Sequence, residues 1–68
     1  MGNNLMKNNI KELRKNKKLS QQELANLCKV TRQTINAIEN DKYDPTLKLA
    51  FDLSKHLSTT VDTLFIHD

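Results

Sequence analysis

Two helix-start signals lie close together in the middle of the chain, and they restrict the fold more than any other feature. Ser20 and Glu23 form the pattern of a capping box, in which the serine oxygen accepts from the Glu23 amide and the glutamate side chain reaches back. Thr31 is typical of an N-cap for a second helix. The turn left between them, Lys29 to Thr31, is so short that the two helices must cross at a steep angle.

Similar signals divide the rest of the chain into short helical segments. Asn9, Thr46 and Thr60 are plausible N-caps, and apolar residues follow each of them at helical spacing. The predicted helices run roughly over 10–17, 20–28, 32–40, 47–57 and 61–65. Their predicted core residues are Ile10, Leu13, Leu24, Leu27, Cys28, Val30, Ile35, Ile38, Leu47, Ala50, Phe51, Ser54, Leu57, Val61 and Leu64. The sequence therefore predicts an all-α fold, a compact five-helix bundle.

Chain length and composition exclude several classes of protein. We expect the 68 residues to form one domain over 1–68, with 1–7 as an N-terminal extension. A domain of this size buries only about 60% of its unfolded surface, which leaves little room for an enzyme. Hydrophobic residues make up 37% and charged residues 28%, which is typical of a globular chain rather than a disordered one.

The chain lacks the residue patterns of metal and catalytic sites. Its one cysteine, Cys28, excludes an intrachain disulfide and suits a reducing cytosol, so we expect a cytoplasmic location. The two histidines, His56 and His67, are far apart, and we expect both at the surface. No nucleophile motif, acid–base pair, glycine-rich phosphate loop or membrane-length apolar run occurs. We therefore expect no catalytic residues, no metal and no cofactor.

Basic residues are concentrated in the first two thirds of the chain. The net charge is +3, and residues 1–42 carry nine Lys and Arg against four acids, whereas residues 43–68 carry two against four. A polyanion would therefore meet the N-terminal part. Charge alone leaves the alternative open that these lysines only solvate a small domain.

The third predicted helix has two separate faces. Ile35 and Ile38 point one way, and polar or small residues cluster opposite them. These are Arg32, Gln33, Asn36, Ala37 and Asn40. Arg can donate bidentately to guanine O6 and N7, and Gln or Asn can pair with adenine N6 and N7, so the face suits base reading in a major groove. The alternative is an ordinary solvated helix face.

The motifs together resemble the Cro/C1-type (Xre) family of helix-turn-helix regulators over about residues 8–66. The resemblance rests on Gln-x-Glu-Leu-Ala at 21–25, Thr-Arg-Gln-Thr-Ile at 31–35, Ile-Glu-Asn at 38–40 and Pro-Thr-Leu at 45–47. The Tyr-Asp-Pro loop at 43–45 and the Phe65-Ile66 ending are similar to small dimeric members of the cytolysin-repressor type. The family implies a lambda-repressor-like fold in which the second and third helices form the helix-turn-helix.

The resemblance also implies roles for matching residues. Gln21 would contact a phosphate and orient a recognition residue, and Arg14 and Glu39 would form a buried or half-buried structural ion pair. The recognition-helix residues Arg32, Gln33, Asn36 and Ala37 would read bases. The sugar-phosphate backbone would be held by Thr34, Asn40 and Lys42. The full predicted DNA-binding set is Gln21, Thr31, Arg32, Gln33, Thr34, Asn36, Ala37, Asn40 and Lys42.

This sequence departs from the family pattern at three glycine positions and one leucine position. Lys29, Asp41 and Ser58 stand where glycines are usual, and a left-handed non-glycine costs on the order of 1 kcal/mol. One interpretation of Lys29 is a phosphate contact that offsets part of this strain. Cys28 replaces a buried leucine, which implies a small core residue.

A sequence-specific repressor that binds double-stranded DNA as a homodimer is the function that the resemblance implies. The predicted dimer surface comprises Val61, Leu64, Phe65 and Ile66, with a short strand pairing near Leu5 and Met6. The alternative for Phe65 and Ile66 is packing within the chain, against Leu5, Met6 or Leu13. Alternative functions are an antitoxin, a restriction-modification controller or a protein-interaction module.

Overall fold

A computed structural model describes residues 7–66 and confirms the five-helix fold with a short terminal β pairing. The helices are α1 (Ile10–Asn16), α2 (Gln21–Cys28), α3 (Arg32–Glu39), α4 (Leu47–His56) and α5 (Val61–Leu64). The strands β1 (Lys7–Asn8) and β2 (Phe65–Ile66) pair antiparallel, with Lys7 opposite Ile66 and Asn8 opposite Phe65. The pairing predicted near Leu5 and Met6 lies outside the described residues.

Four of the five predicted N-caps are confirmed, because each acts through a contact three residues away. Ser20 and Glu23 form both bonds of the capping box, at 3.0 and 2.8 Å. Thr31, Thr46 and Thr60 each accept from the backbone amide three positions on, at 3.2, 3.2 and 3.1 Å. These caps satisfy amide groups that have no partner within the helix.

The side-chain cap predicted for Asn9 is wrong. Asn9 occupies the N-cap position of α1, but its backbone is not extended and its side chain makes no cap bond. Nδ2 of Asn9 donates instead to the Thr63 carbonyl at 3.2 Å, and the Ile10 amide donates to Oδ1 of Asn8 at 3.1 Å. Asn8 also donates to the Ile38 carbonyl at 2.8 Å. Tertiary bonds to α3 and α5 thus decide how α1 begins.

One hydrophobic core lies between all five helices. Its fully buried side chains are Ile10, Leu24, Ile35, Ile38, Leu53 and Leu64. Cys28 is buried beside them, as predicted, and burial raises the pKa of its thiol. Leu13, Val30 and Val61 pack against this core while half-buried. His56 is half-buried rather than fully at the surface, and His67 lies outside the described residues.

Three predicted core residues lie at the surface instead. Leu47 and Phe51 are 70% and 57% exposed, and α4 buries Leu49 and Leu53 in their place. Leu27 is also exposed, because α2 packs through Leu24, Ala25 and Cys28. The apolar stripe of α4 is therefore rotated from the predicted one toward Leu49 and Leu53.

The predicted dimer surface is also altered by the packing of the C-terminal segment. Leu64 is fully buried in the core of its own chain, whereas Phe65 is 8% exposed and lines a groove between α4 and α5. Ile66 stays exposed and Val61 is half-buried. Phe65 thus packs within its own chain, which was the alternative considered for it.

α1 to α4 all end in the same backbone motif without a glycine. In each, a residue one or two positions beyond the last helical residue has φ between 56° and 60°, and two backbone bonds close a Schellman motif. The left-handed residues are Lys18, Lys29, Asp41 and Ser58. The last three are the positions at which the family pattern predicts glycine, whereas Lys18 gave no such signal.

Among residues 7–66, no helix is both long and apolar enough to cross a membrane, and the longest has ten residues.

We expect the substitution Lys29→Gly to raise the free energy of unfolding by about 0.5–1 kcal/mol, because glycine adopts φ 60° without a Cβ clash. Urea denaturation followed by circular dichroism measures the change. The control is Lys17→Gly, since Lys17 is equally a solvent-facing lysine but has φ −90°. Glycine there should destabilise, and equal effects at both positions would contradict the strain argument.

Candidate nucleic-acid interface

The turn between α2 and α3 is held by local bonds and projects the exposed face of α3. The Val30 amide donates to the Ala25 carbonyl at 3.0 Å, and the Lys29 amide donates to the Asn26 carbonyl at 3.2 Å. Thr31 itself has an extended backbone and caps α3, which begins at Arg32. Ile35 and Ile38 are buried beneath α3, and its opposite face remains open to solvent.

The structure places most of the predicted DNA-binding residues on or beside this face. Arg32, Gln33 and Asn36 are exposed along it, and Ala37 is half-buried at its edge. Lys42 follows the helix end, where its amide donates to the Ala37 carbonyl at 2.9 Å. The structure therefore groups these residues, and their contacts with DNA remain predictions.

The hydroxyl groups of Thr31 and Thr34 are less available for contact with DNA than the sequence suggests. Their hydroxyl oxygens lie 3.0 Å apart, and the Thr31 oxygen also accepts from the Thr34 amide. One hydroxyl hydrogen of the pair is used between them, so the other is left to donate elsewhere.

A buried ion pair joins α1 to the end of α3. Arg14 Nε donates to Oε2 of Glu39 at 2.7 Å, and Nη2 donates to Oε1 at 3.1 Å. The two side chains are only 9% and 1% exposed. Arg14 Nη1 also donates to the Leu19 carbonyl at 2.8 Å. The structural ion pair that the resemblance implied is thus present, in a bidentate arrangement.

Gln21 connects this ion pair to the exposed face of α3. Its Nε2 donates to Oε1 of Glu39 at 3.0 Å and to Oδ1 of Asn36 at 3.1 Å. From the other side, Asn40 Nδ2 donates to the Asn36 carbonyl at 2.9 Å and to Oδ1 of Asn36 at 3.2 Å. Asn36 is therefore held in position by two neighbours. A phosphate contact of Gln21 stays a prediction.

A second group of residues lies beside α3, and few sequence features predicted it. A groove of about 360 Å³ lies between the helix-turn-helix and α4, and Tyr43 and Lys48 line it together with Lys29 and Thr34. Tyr43 is 47% exposed. The Lys48 ammonium donates to Asp52 at 3.0 Å and lowers the pKa of that carboxyl. The one sequence feature that pointed to this groove was an aromatic residue, Tyr43, in the loop after α3.

Among residues 7–66, no cluster of three His, Cys, Asp or Glu side chains could hold a metal ion.

Comparison with known proteins identifies a helix-turn-helix protein. A helix-turn-helix family model matches residues 10–64. A relative named an HTH-type transcriptional regulator, from Methanocaldococcus jannaschii, is 46% identical over 93% of this chain and 96% of its own length. The chain therefore belongs to the Cro/C1-type helix-turn-helix family of transcriptional regulators, whose members bind double-stranded DNA.

Solved structures show the same fold in other settings. The restriction-modification controller protein C.AhdI from Aeromonas hydrophila matches with a TM-score of 0.76 and 30% identity, over 82% of this chain and 85% of that one. Hydroxypropylphosphonic acid epoxidase from S. wedmorenis matches with a TM-score of 0.76 and 28% identity over 84% of this chain, but over only 30% of the enzyme. The chain spans between 30% and 62% of several solved proteins of this fold.

We expect Arg14→Met to lower the free energy of unfolding by roughly 3–5 kcal/mol, because it leaves the buried Glu39 carboxylate without its cation. Urea denaturation provides the measurement. Lys48→Met is the matched control, since it breaks the exposed pair with Asp52 and should change stability little. A loss below about 1 kcal/mol for Arg14→Met would refute a structural role of the pair.

Proposed function

We propose that this protein is a sequence-specific repressor that inserts α3 into the major groove of double-stranded DNA. The observation that carries the proposal is the exposed face of α3, on which Asn36 is held by Gln21 and Asn40 while Arg32 and Gln33 are free to reach outward. Side chains with these groups distinguish bases by their donors and acceptors in the major groove. Family membership supports the proposal independently.

The predicted DNA-binding residues divide into two roles. Arg32, Gln33 and Asn36 would contact base edges, and the small Ala37 would let the helix approach closely or touch a thymine methyl group. A second set would hold the sugar-phosphate backbone and fix the register. That set comprises Thr31, Thr34, Lys42 and the main-chain amide of Gln21. Both side-chain amino hydrogens of Gln21 and of Asn40 are already donated within the chain, so these two side chains would act through Asn36 instead.

The repressor would act as a homodimer on an inverted repeat in the cytoplasm. Two recognition helices would then enter successive major grooves about 34 Å, or about 10 bp, apart. Bound in this way, the dimer would exclude RNA polymerase from a promoter. Other members of this fold include a solved restriction-modification controller, and the similarity over 85% of that chain makes such control a second candidate function.

An apolar face formed by α4, α5 and β2 would carry the dimer contact. Ile66 is 45% exposed, and Leu47 borders a groove of about 510 Å³ that Ala50 and Val61 also line. Phe51 is 57% exposed on the same helix as Leu47. Small domains often gain stability by covering such apolar surface with a second copy. Phe65 lines the same groove, whereas Leu64, which was also expected in the contact, is fully buried.

Selection from a random duplex library at physiological salt tests the function. The expected result is an enriched inverted repeat with half-sites about one helical turn apart. A folded protein that enriches no sequence would contradict the proposal and would favour a protein-interaction module. A restriction-modification controller would be favoured if the selected repeat lies upstream of genes for a nuclease and a methyltransferase.

Arg32→Ala should weaken operator binding by about 1–3 kcal/mol and relax the preference at one base pair. Lys42→Ala should weaken binding to all sequences similarly, because a phosphate contact carries no base information. Fluorescence anisotropy on operator and random duplexes measures both. Lys55→Ala, in the last turn of α4, is the control for the loss of one positive charge. An equal loss on both duplexes for Arg32→Ala would exclude its base-reading role.

Ile66→Gln should shift the protein toward monomer, because it removes apolar surface from the proposed contact face. Sedimentation velocity over a range of concentrations measures the association. Leu27→Gln is the matched control, since Leu27 is 44% and Ile66 45% exposed but Leu27 lies on α2. Unchanged association of the Ile66 variant would place the dimer contact elsewhere.

A further inference from the structure

The side-chain amide of Asn36 has a fixed orientation on the exposed face of α3. Its oxygen, Oδ1, accepts two hydrogen bonds, from Gln21 Nε2 at 3.1 Å and from Asn40 Nδ2 at 3.2 Å. A carbonyl oxygen has two lone pairs, so both acceptor sites are occupied. The amino group, Nδ2, takes part in none of the hydrogen bonds formed within residues 7–66.

The orientation follows from the chemistry of the neighbours and starts at a charge. The Glu39 carboxylate, paired with Arg14, can only accept hydrogen bonds. Gln21 must therefore turn its amino group toward Glu39, where it lies 3.0 Å from Oε1. The same amino group is 3.1 Å from Asn36, so the Asn36 atom facing it must be the oxygen.

A second chain of contacts leads independently to the same orientation. The main-chain carbonyl of Asn36 can only accept, and Asn40 Nδ2 lies 2.9 Å from it. The amino end of Asn40 is thereby fixed, and it is also 3.2 Å from the Asn36 side chain. That atom must again be the oxygen. Turning the amide over would lose two bonds and bring donor against donor from both sides.

We propose that Asn36 acts at the operator as a hydrogen-bond donor only, and therefore selects guanine rather than adenine. This inference rests on the proposed DNA-binding function. The usual pairing of Asn with adenine needs an acceptor for N6–H₂ and a donor to N7, and the acceptor is already occupied here. Guanine presents two adjacent acceptors, O6 and N7, to a donor in the major groove. Adenine offers one acceptor, N7, beside the N6 donor, thymine offers one acceptor, O4, beside its methyl group, and cytosine presents the N4 donor, so guanine fits a donor-only amide best.

The determinants of this preference extend beyond the groups that would touch DNA. Gln21 transmits the orientation from Glu39, and Asn40 supplies the second bond. Both are positioning residues for Asn36 in addition to any backbone contact of their own. The buried ion pair of α1 and α3 thus acts on base choice through Gln21.

The test begins with parallel selection by the wild type and by Asn36→Ala, which locates the base pair that depends on Asn36. Guanine is expected there. Replacing that guanine with 7-deazaguanine removes the N7 acceptor and should lower wild-type affinity by about fivefold or more, with little further effect on Asn36→Ala. An adenine whose replacement by unsubstituted purine weakens binding would overturn the inference, since purine lacks only the 6-amino group.

Asn36→Asp is the second variant, because a carboxylate keeps both accepted bonds and loses only the outward donor. Its thermal unfolding midpoint should match that of the wild type, and its preferred base should change from guanine to one that donates, cytosine or adenine. Preference is taken as the ratio of operator to random-duplex affinity, since the added charge weakens all DNA binding. A retained guanine preference would overturn the inference.

The outcomes separate this inference from the function on which it rests. No enriched motif with folded wild-type protein would refute the DNA-binding proposal, and the inference with it. A clear motif in which no base depends on Asn36, or in which that base must donate, would refute the donor-only role alone.

Discussion

The Glu39 carboxylate is the group on which the arrangement of the first three helices depends. Its side chain is 1% exposed and accepts from two nitrogens of Arg14 and one of Gln21. A buried carboxylate is costly unless charge and hydrogen bonds compensate it. The contacts that compensate this charge come from α1 and α2, so they fix the position of α3 against both. Arg14 also donates to the Leu19 carbonyl, which ties in the loop that leads to α2.

Local signals predicted the fold well because most helix boundaries here are decided within three residues. Ser20 and Thr31 form their caps with amides of their own first turn, and no distant residue is needed. The cap predicted for Asn9 was wrong because the neighbouring Asn8 accepts from the first amide of α1 instead. Asn8 bonds to Ile38 across the fold and to the Ile10 amide. Such a choice depends on tertiary contacts that a local pattern does not contain.

The buried face of α4 was predicted incorrectly for a related reason. Leu47 and Phe51 form one apolar series at helical spacing, and Leu49 and Leu53 form another beside it. Ala50 lies between the two series and is buried, and it fits a core-facing stripe that contains either of them. Periodicity alone assigns both series the same spacing, so packing against the neighbouring helices decides which is buried. The predicted DNA-binding residues were easier to group, since one helix carries most of them, but their mutual hydrogen bonds were not predictable.

Those hydrogen bonds mean that base preference is not a property of the α3 face alone. Gln21 lies on α2 and is itself oriented by a buried carboxylate, yet it sets which end of the Asn36 amide points outward. A protein with the same α3 face but an apolar residue in place of Gln21 would leave one lone pair of Asn36 free, and adenine pairing would become possible. Comparison of recognition helices alone would treat the two proteins as equivalent. The donor-only state therefore depends on Gln21 and Asn40 as much as on Asn36.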